Sequence, residues 1–175
     1  RMISATASIA AGQDIMRNAA CNLKRVSLEL GGHAPFIVTS DADLVEAASA
    51  AHRRSFSNMG QICITVNRIL VDKRVHAEFA DILKNLADST ELGNGLDAGV
   101  GYGPCLNQSV IDRVERHKND ALKKGGELLS GGFSPGAYEF KRGYFYRPTV
   151  INNAPLDSLP MTEESYGPIA AVAAY

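Results

Sequence analysis

The cysteine at position 63 has neighbours typical of a reactive thiol. Cys63 lies in the stretch FSNMGQICITVNR, three residues after Gly60 and directly before the β-branched run ITV. Glycine permits a sharp turn, and backbone N–H groups just past such a turn can stabilise a thiolate. The same groups could hold the oxyanion formed from a bound carbonyl. The alternative is a small buried thiol, which is what most isolated cysteines are.

Two acidic stretches could supply carboxylates to the same chemistry. Glu29 lies in LELGG at the end of an apolar strand, on the face opposite Leu28 and Leu30. It is either a solvent-facing edge carboxylate or a carboxylate held in an apolar surround and suited to general-base work on a thiol or a water. Glu164 lies in MTEESYGP, which is either a polar loop before the last strand or a carboxylate that accepts hydrogen bonds from ligand hydroxyls, with Tyr166 as an apolar wall.

Composition excludes several classes of function. Hydrophobic residues make up 45% and charged residues 21% of the 175-residue chain, and the formal net charge is −1. These values are ordinary for a globular protein and give no basic surface for nucleic acid. No apolar run is long enough to cross a membrane. The three cysteines, Cys21, Cys63 and Cys105, show no CxxC spacing, which disfavours disulfides and metal clusters and predicts a reduced, cytoplasmic protein.

The elements that must position these residues alternate between strand and helix. This alternation predicts an α/β fold, with a mostly parallel sheet and flanking helices. Asp41 or Asp43 is expected to cap the second helix. The strand at 35–38 is apolar throughout, so we expect it to be buried on both faces. Glycine-rich loops are expected at 93–103 and 131–143. The predicted strands are 2–8, 26–30, 35–38, 68–72, 127–130, 144–151 and 169–175, and the predicted helices are 10–20, 44–56, 75–87 and 108–124.

The two acidic stretches and the cysteine stretch together resemble the aldehyde dehydrogenase superfamily. LELGG, FSNMGQICITVNR and EESYGP occur in the family's order, and Cys63 follows Glu29 by 34 residues, which is similar to the family's spacing. The intervening stretches DADL, GPCLN and RPTV also match. The resemblance covers essentially the whole chain. It implies an oxidoreductase fold in which the tail end of a Rossmann-like cofactor domain is followed by a catalytic domain.

The resemblance implies a catalytic role for several of these residues. Cys63 would attack the aldehyde carbon to give a thiohemiacetal, and hydride transfer to the nicotinamide of NAD or NADP would leave a thioester. Glu29 would activate the water that hydrolyses the thioester, and its presence favours hydrolysis over transfer to coenzyme A. The backbone N–H of Cys63 would supply half of an oxyanion hole. Glu164 would hold the nicotinamide ribose, with Tyr166 beside the nicotinamide. Cys21 and Cys105 match no catalytic position, and Cys105 is expected in the core.

The cofactor turn departs from the family's pattern. The family commonly has FTGSxxxG, whereas residues 5–12 here read ATASIAAG. Ser8 and Gly12 are retained and, with Leu30 and Gly31 of LELGG, are the predicted cofactor-binding residues. Ala7 replaces a glycine, and an alanine is expected to hinder a positive φ or a close approach of backbone to pyrophosphate.

The resemblance also sets expectations for the whole protein. Residues 1–30 would be the remnant of the cofactor domain and residues 31–175 an incomplete catalytic domain, because both chain ends fall beside strands. The stretch VERHKNDALKKGG is similar to succinate-semialdehyde and related ω-oxo-acid dehydrogenases. The helix at 10–20 resembles the family's dimer helix, which predicts a homo-oligomer, a dimer or tetramer. The alternatives are a catalytically incomplete structural or interaction module, and residual esterase activity through Cys63 and Glu29.

Overall fold

The chain folds as two compact units in a computed structural model. The structure describes residues 1–137, 140 and 142–175. The first unit is Arg1–Gly32 and the second is His33–Tyr175, so the division falls two residues beyond the predicted one. Positions 138, 139 and 141, in the predicted turn-rich stretch 131–143, lie outside the described residues.

The first unit is a single strand–helix–strand motif. Strand β1 (Met2–Thr6) pairs in parallel with β2 (Arg25–Glu29), and helix α1 (Ile9–Ala20) connects them. The N–H of Ala11 donates to the Ser8 hydroxyl at 3.3 Å, which caps the first turn of α1 and satisfies one of the N–H groups left unpaired at a helix start. The motif therefore presents the beginning of α1 at the carboxyl end of β1.

The second unit is a five-stranded sheet with helices on both sides. The sheet has the order β3-β4-β7-β6-β5, and only β5 runs antiparallel to its neighbour. The strands are β3 (Ala34–Val38), β4 (Val66–Val71), β5 (Glu127–Ser130), β6 (Thr149–Asn152) and β7 (Ile169–Ala174), and the helices are α2 (Leu44–Phe56), α3 (His76–Asp88), α4 (Gln108–Lys123) and the short α5 (Leu159–Thr162). The predicted α/β fold with a mostly parallel sheet is confirmed.

Central strand β7 separates two hydrophobic cores. Ala170 and Val172 face a core formed with α2 and α3, whereas Ile169 and Ala171 face a second core formed with α4. Small residues on both faces of β7 allow helices to pack closely on each side. The helix ends follow local signals, since Asp43 accepts the N–H groups of Val45 and Glu46 at 3.0 Å. At the C-terminal end of α4, the local signal is Gly125, which follows the helix with a φ of +105°.

Two of the predicted strands need correction. The stretch 35–38 is not buried on both faces, because β3 is an edge strand of this sheet and Ile37 is 62% exposed. The predicted strand 144–151 begins only at Thr149, after Pro148, because proline has no N–H to donate to a ladder. Tyr144 instead forms an isolated bridge with Cys105. Within the described residues, no helix has the length and apolar character needed to cross a membrane.

Candidate active site

The turn before Cys63 has an unusual backbone. Asn58, Met59 and Gly60 have φ values of 51°, 56° and 68°, so three consecutive residues are left-handed. Such conformations cost side-chain-bearing residues on the order of 1–3 kcal/mol each and persist only where the surroundings impose them. The sequence predicted a turn at Gly60 but not the left-handed Asn58 and Met59.

Side-chain contacts hold this turn in place. The Met59 side chain is 1% exposed and belongs to the core on the α4 side of the sheet. The Gln61 amide donates to the Asn58 carbonyl at 2.9 Å, and Gln61 Oε1 accepts the N–H of Leu106 at 2.8 Å. The Thr65 hydroxyl donates to the Gly60 carbonyl at 3.0 Å. The backbone on both sides of Cys63 is therefore fixed.

The three cysteines lie in different environments. Cys63 is exposed at the end of the left-handed turn, so the alternative of a buried structural thiol is wrong. Cys105 is 3% exposed in the core, as predicted, and burial raises the pKa of its thiol to about 11. Cys21 is exposed at the end of α1. Burial alone therefore makes Cys105 unsuitable as a nucleophile, whereas Cys63 is accessible.

A glycine–glycine contact brings the Cys63 turn to the Glu164 segment. Gly60 packs against the carbonyl of Gly167 so closely that a Cβ on Gly60 would overlap it. The segment 163–167, which contains Glu164 and Tyr166, therefore lies directly beside the turn that presents Cys63. Glu164 is half-buried, and Tyr166 is exposed with φ +44°. Two motifs that are about 100 residues apart in the chain thus form one surface of the second unit.

Both motifs precede strands at the same edge of the sheet. Cys63 comes before β4 and Glu164 before β7, which are parallel neighbours. The Asn67 side-chain amide donates to the Ile169 carbonyl at 3.1 Å and links the beginnings of these strands. The candidate site thus lies at the amino ends of parallel strands, whereas open α/β sheets usually bind ligands at the carboxyl ends.

Residues of α4 support the Glu164 segment, and the sequence did not reveal them as functional. His117 Nδ1 lies 3.0 Å from Ser165 Oγ, and Arg116 pairs with Glu163 at 2.9 Å. Arg113 and His117 are four positions apart, so helical spacing could have placed them on one face. No local signal identifies Ser165 as their partner, because the contact joins residues far apart in the chain.

In the first unit, Glu29 lies beside the predicted cofactor turn. Glu29 ends β2 opposite Thr6, and its side chain is exposed. Its carbonyl accepts the N–H of Ala7 at 3.0 Å. Gly31 follows on the same segment and is half-buried. Alternation of side chains along β2 was predicted correctly. The apolar surround expected for Glu29 is wrong, because the side chain is exposed, and its role as a general base stays a prediction.

The first unit retains the features that a dinucleotide pyrophosphate requires. The beginning of α1 offers N–H groups with no partner inside the helix, and such helix starts bind phosphate. Gly12 is buried against Leu30, where a Cβ would lie 2.7 Å from the Leu30 side chain. The Ala7 backbone does not have a positive φ, so alanine is not strained there. Residues 7–12 therefore fit the cofactor. Alanine was expected to hinder a positive φ at position 7, and no positive φ is present there.

No metal centre accompanies this arrangement in the described residues. Residues 1–137, 140 and 142–175 contain no group of three or more His, Cys, Asp or Glu side chains placed to hold a metal ion.

Comparison with known proteins gives consistent matches over the whole chain. The chain is 40% identical over 170 residues to the NADP(+) succinate-semialdehyde dehydrogenase GabD of Escherichia coli K12, covering 97% of this chain and 34% of that protein. It is also 40% identical over 172 residues to the glutarate-semialdehyde dehydrogenase of Pseudomonas aeruginosa, covering 98% and 35%. The crystal structure of Staphylococcus aureus betaine aldehyde dehydrogenase with NAD+ superposes with a TM-score of 0.95 at 33% identity, covering 99% and 34%.

The chain spans about a third of the length of the curated relatives that it matches. The family model described as "Aldehyde dehydrogenase family" matches residues 1–175. Together with the placement of Cys63 beside the Glu164 segment, this match means that the chain belongs to the aldehyde dehydrogenase family.

Proposed function

We propose that this chain is part of an enzyme, called the full-length parent below, that oxidises an aldehyde to a carboxylic acid with NAD or NADP. The observation that carries the proposal is the exposed Cys63, held at the end of a left-handed turn that packs against the Glu164 segment. Covalent catalysis on a carbonyl requires an accessible nucleophile, and here the turn before the thiol packs against the segment that contains a predicted cofactor contact.

In the proposed mechanism, Cys63 is the nucleophile and Glu29 the general base. The Cys63 sulfur bonds to the aldehyde carbon, and the backbone N–H of Cys63 stabilises the oxygen that becomes negative. The bound nicotinamide supplies a hydride acceptor. The carbon's hydride would pass to that acceptor while the oxygen re-forms the C=O double bond, which would leave a thioester on Cys63. Glu29 takes a proton from water, the water oxygen bonds to the carbonyl carbon, and the bond to sulfur breaks, which releases the acid. The sulfur leaves as a thiolate and takes the proton from Glu29, which regenerates the thiol and the Glu29 carboxylate.

We assign cofactor-binding roles to residues in two parts of the sequence. Residues Ser8 to Gly12, at the beginning of α1, would hold the pyrophosphate, with Leu30 and Gly31 close by on the segment after β2. Glu164 would accept hydrogen bonds from the nicotinamide ribose, and Tyr166 would lie beside the nicotinamide. The fit of residues 7–12 to a pyrophosphate supports this assignment.

The substrate that we propose is succinate semialdehyde or another ω-oxo acid. Relatives that are 40% identical to this chain carry the names succinate-semialdehyde and glutarate-semialdehyde dehydrogenase.

We further propose a dimer or tetramer associated through α1, because Ile9 and Met16 of this helix are 52% and 50% exposed. The cytoplasmic location stays a prediction from the unpaired cysteines.

The proposal is tested by NAD(P)H formation in the full-length parent with succinate semialdehyde. We expect Cys63→Ser to lower kcat at least about a thousandfold, because the thiol forms the covalent intermediate. Cys21→Ser is the matched control and should leave the rate unchanged, since Cys21 is also exposed but lies elsewhere. Equal rates for Cys63→Ser and the unchanged enzyme would contradict the mechanism.

For the 175-residue chain alone, we propose that dehydrogenase activity is absent or impaired and that it acts at most as a structural or interaction module. The support is that the chain covers about a third of its relatives. NAD(P)H formation by this chain at saturating cofactor would contradict the proposal that its dehydrogenase activity is absent or impaired. Any cofactor-independent esterase activity should disappear in Cys63→Ala.

A further inference from the structure

One side of helix α4 carries the chain segment that contains Glu164. Four residues at helical spacing on this side each contact the chain between positions 157 and 165. They are Arg113, His117, Asp120 and Lys124. Near the end of α4, the N–H of Leu159 donates to Asp120 Oδ2 at 2.7 Å. These contacts fix the approach to Glu164 from the second turn of α4 to Lys124, directly after the helix.

The residues on both sides of Glu164 are each bound to α4. On the N-terminal side, the Glu163 carboxylate lies 2.9 Å from the Arg116 guanidinium. On the C-terminal side, Ser165 is completely buried. Its hydroxyl lies 3.0 Å from His117 Nδ1, and its carbonyl accepts a hydrogen bond from Arg113 Nη1 at 3.4 Å. The backbone of Glu164 is therefore held between two anchored neighbours.

Beyond Ser165, packing removes the remaining freedom of the segment. Gly167 packs against Val114 and Val110 of α4 so closely that a Cβ there would overlap Val114. On its other side, the Gly167 carbonyl touches Gly60 of the Cys63 turn. Displacing the segment from α4 would therefore also displace the turn that presents Cys63.

The buried histidine is a neutral hydrogen-bond donor to Ser165. His117 Nε2 lies 3.4 Å from Arg116 Nη2, and an arginine can only donate, so Nε2 accepts. The proton is then on Nδ1, which donates to Ser165 Oγ. Burial, followed by the charge of Arg116, lowers the pKa of His117 to about 4. His117 is therefore uncharged at neutral pH.

We propose that His117 and Ser165 are positioning residues that hold Glu164 where it grips the cofactor ribose. This inference rests on the proposed function, because it assumes that Glu164 contacts the cofactor. Neither residue needs to touch the cofactor or the reacting atoms. They act through the backbone between Glu163 and Gly167, which they attach to the rigid helix α4.

The experiment compares two pairs of substitutions in the full-length parent. His117→Gln removes the donor to Ser165, whereas His117→Asn keeps an amide N–H near the position of Nδ1. Ser165→Ala removes the hydroxyl, whereas Ser165→Thr keeps it. Calorimetry measures the dissociation constants of NAD+ and NADP+ without substrate, and hydrogen exchange without cofactor measures protection of amides 163–167. Steady-state kinetics measure KM for the aldehyde.

We expect His117→Gln and Ser165→Ala each to weaken cofactor binding about tenfold, the effect of one buried hydrogen bond. Both variants should also speed exchange at 163–167, with KM for the aldehyde little changed. His117→Asn and Ser165→Thr keep the hydrogen bond, so their dissociation constants for the cofactor should stay closer to the original value. His52→Asn is the matched control, because half-buried His52 also pairs with a hydroxyl, that of Thr90 at 2.9 Å, through Nε2 and in another part of the unit.

Two results would overturn the inference. One is unchanged cofactor binding in both His117→Gln and Ser165→Ala. The other is equal weakening in all four variants and in His52→Asn, which would indicate general destabilisation. Glu164→Gln separates the two proposals. If Glu164→Gln binds cofactor normally, the proposed ribose role is wrong. If Glu164→Gln binds weakly while the His117 and Ser165 variants bind normally, only the positioning role is wrong.

Discussion

At the scale of single residues, the left-handed turn explains how a thiol stays exposed while its neighbours are buried. Met59 is directed into the core and Gly60 lies against the Gly167 carbonyl, so the chain reverses before it reaches Cys63. The conformational cost at Asn58 and Met59 is offset by core burial and by the hydrogen bonds of Gln61 and Thr65.

Gly60→Ala tests this explanation. A methyl group at Gly60 would combine a φ of +68° with overlap of the Gly167 carbonyl. We expect the free energy of unfolding to fall by about 2–4 kcal/mol, measured by urea denaturation. Gly95→Ala is the control, because a Cβ there meets no heavy atom within 4 Å and Gly95 has no positive φ. Equal stabilities of the two variants would show that the close approach at Gly60 is not required.

Thiol labelling tests the environments of the cysteines. With the chain folded, iodoacetamide should label Cys63 readily and Cys105 hardly at all, because Cys105 is buried and its thiol pKa is raised to about 11. Since the thiolate is the reactive form, little of it exists at Cys105 near neutral pH. Peptide mass spectrometry gives the rate at each cysteine. Rapid labelling of Cys105 at pH 8 would mean that the core is not closed as described.

Residue types and spacing predicted some of the site and missed the rest. The turn at Gly60 and the burial of Cys105 follow from local sequence. The left-handed Asn58 and Met59 do not, because non-glycine residues rarely adopt that conformation. It is imposed by tertiary contacts such as the packing of Gly60 on Gly167, and single-sequence reasoning cannot place two such distant residues together.

At the scale of elements, α4 couples the stability of the second unit to pH through His117. Burial lowers the pKa of His117 from 6.5 to about 4; Arg116, Arg113 and His33 also lower it, and only Glu163 raises it. The unfolded chain therefore binds one more proton than the folded chain between these values. The stability contributed by neutral His117 is complete above pH 6.5 and is lost as the pH falls towards 4.

We expect this loss to be on the order of 3 kcal/mol between pH 7 and pH 4. Other groups also titrate in this range, so the measurement is the difference in urea stability between the original chain and His117→Asn at each pH. Asparagine cannot titrate, so the original chain should lose its advantage over this variant as the pH falls. A difference that does not change with pH would mean that His117 is not buried and neutral.

The bounds of most elements could be predicted, but their exposure could not. Hydrophobic spacing predicted α3 and α4 to within about two residues, because periodicity is a local property. The strand β3 was predicted to be buried on both faces because it is apolar throughout, yet it lies at a sheet edge. Edge or centre is decided by strand order, which depends on contacts between distant segments.

At the scale of the whole molecule, the two units are expected to differ in stability. The first unit has a two-stranded sheet. Its residues 1–32 are all described by the structure, and among them only Gly12 and Ala19 are buried. Two-stranded sheets are marginal by themselves. We expect amides of β1 and β2 to exchange hydrogen much faster than those of β4 and β7 in the 175-residue chain. Equal protection by hydrogen-exchange mass spectrometry would contradict this.

In the mechanism that we propose, Cys63 carries the substrate as a thioester that Glu29 helps to hydrolyse. The most direct measurement uses the Glu29→Gln variant of the full-length parent, mixed with succinate semialdehyde and NAD(P)+, quenched and digested for peptide mass spectrometry. We expect a succinyl adduct on the peptide containing Cys63 and none on those containing Cys21 or Cys105. NAD(P)H formation without any adduct on Cys63, or an adduct on another cysteine, would contradict it.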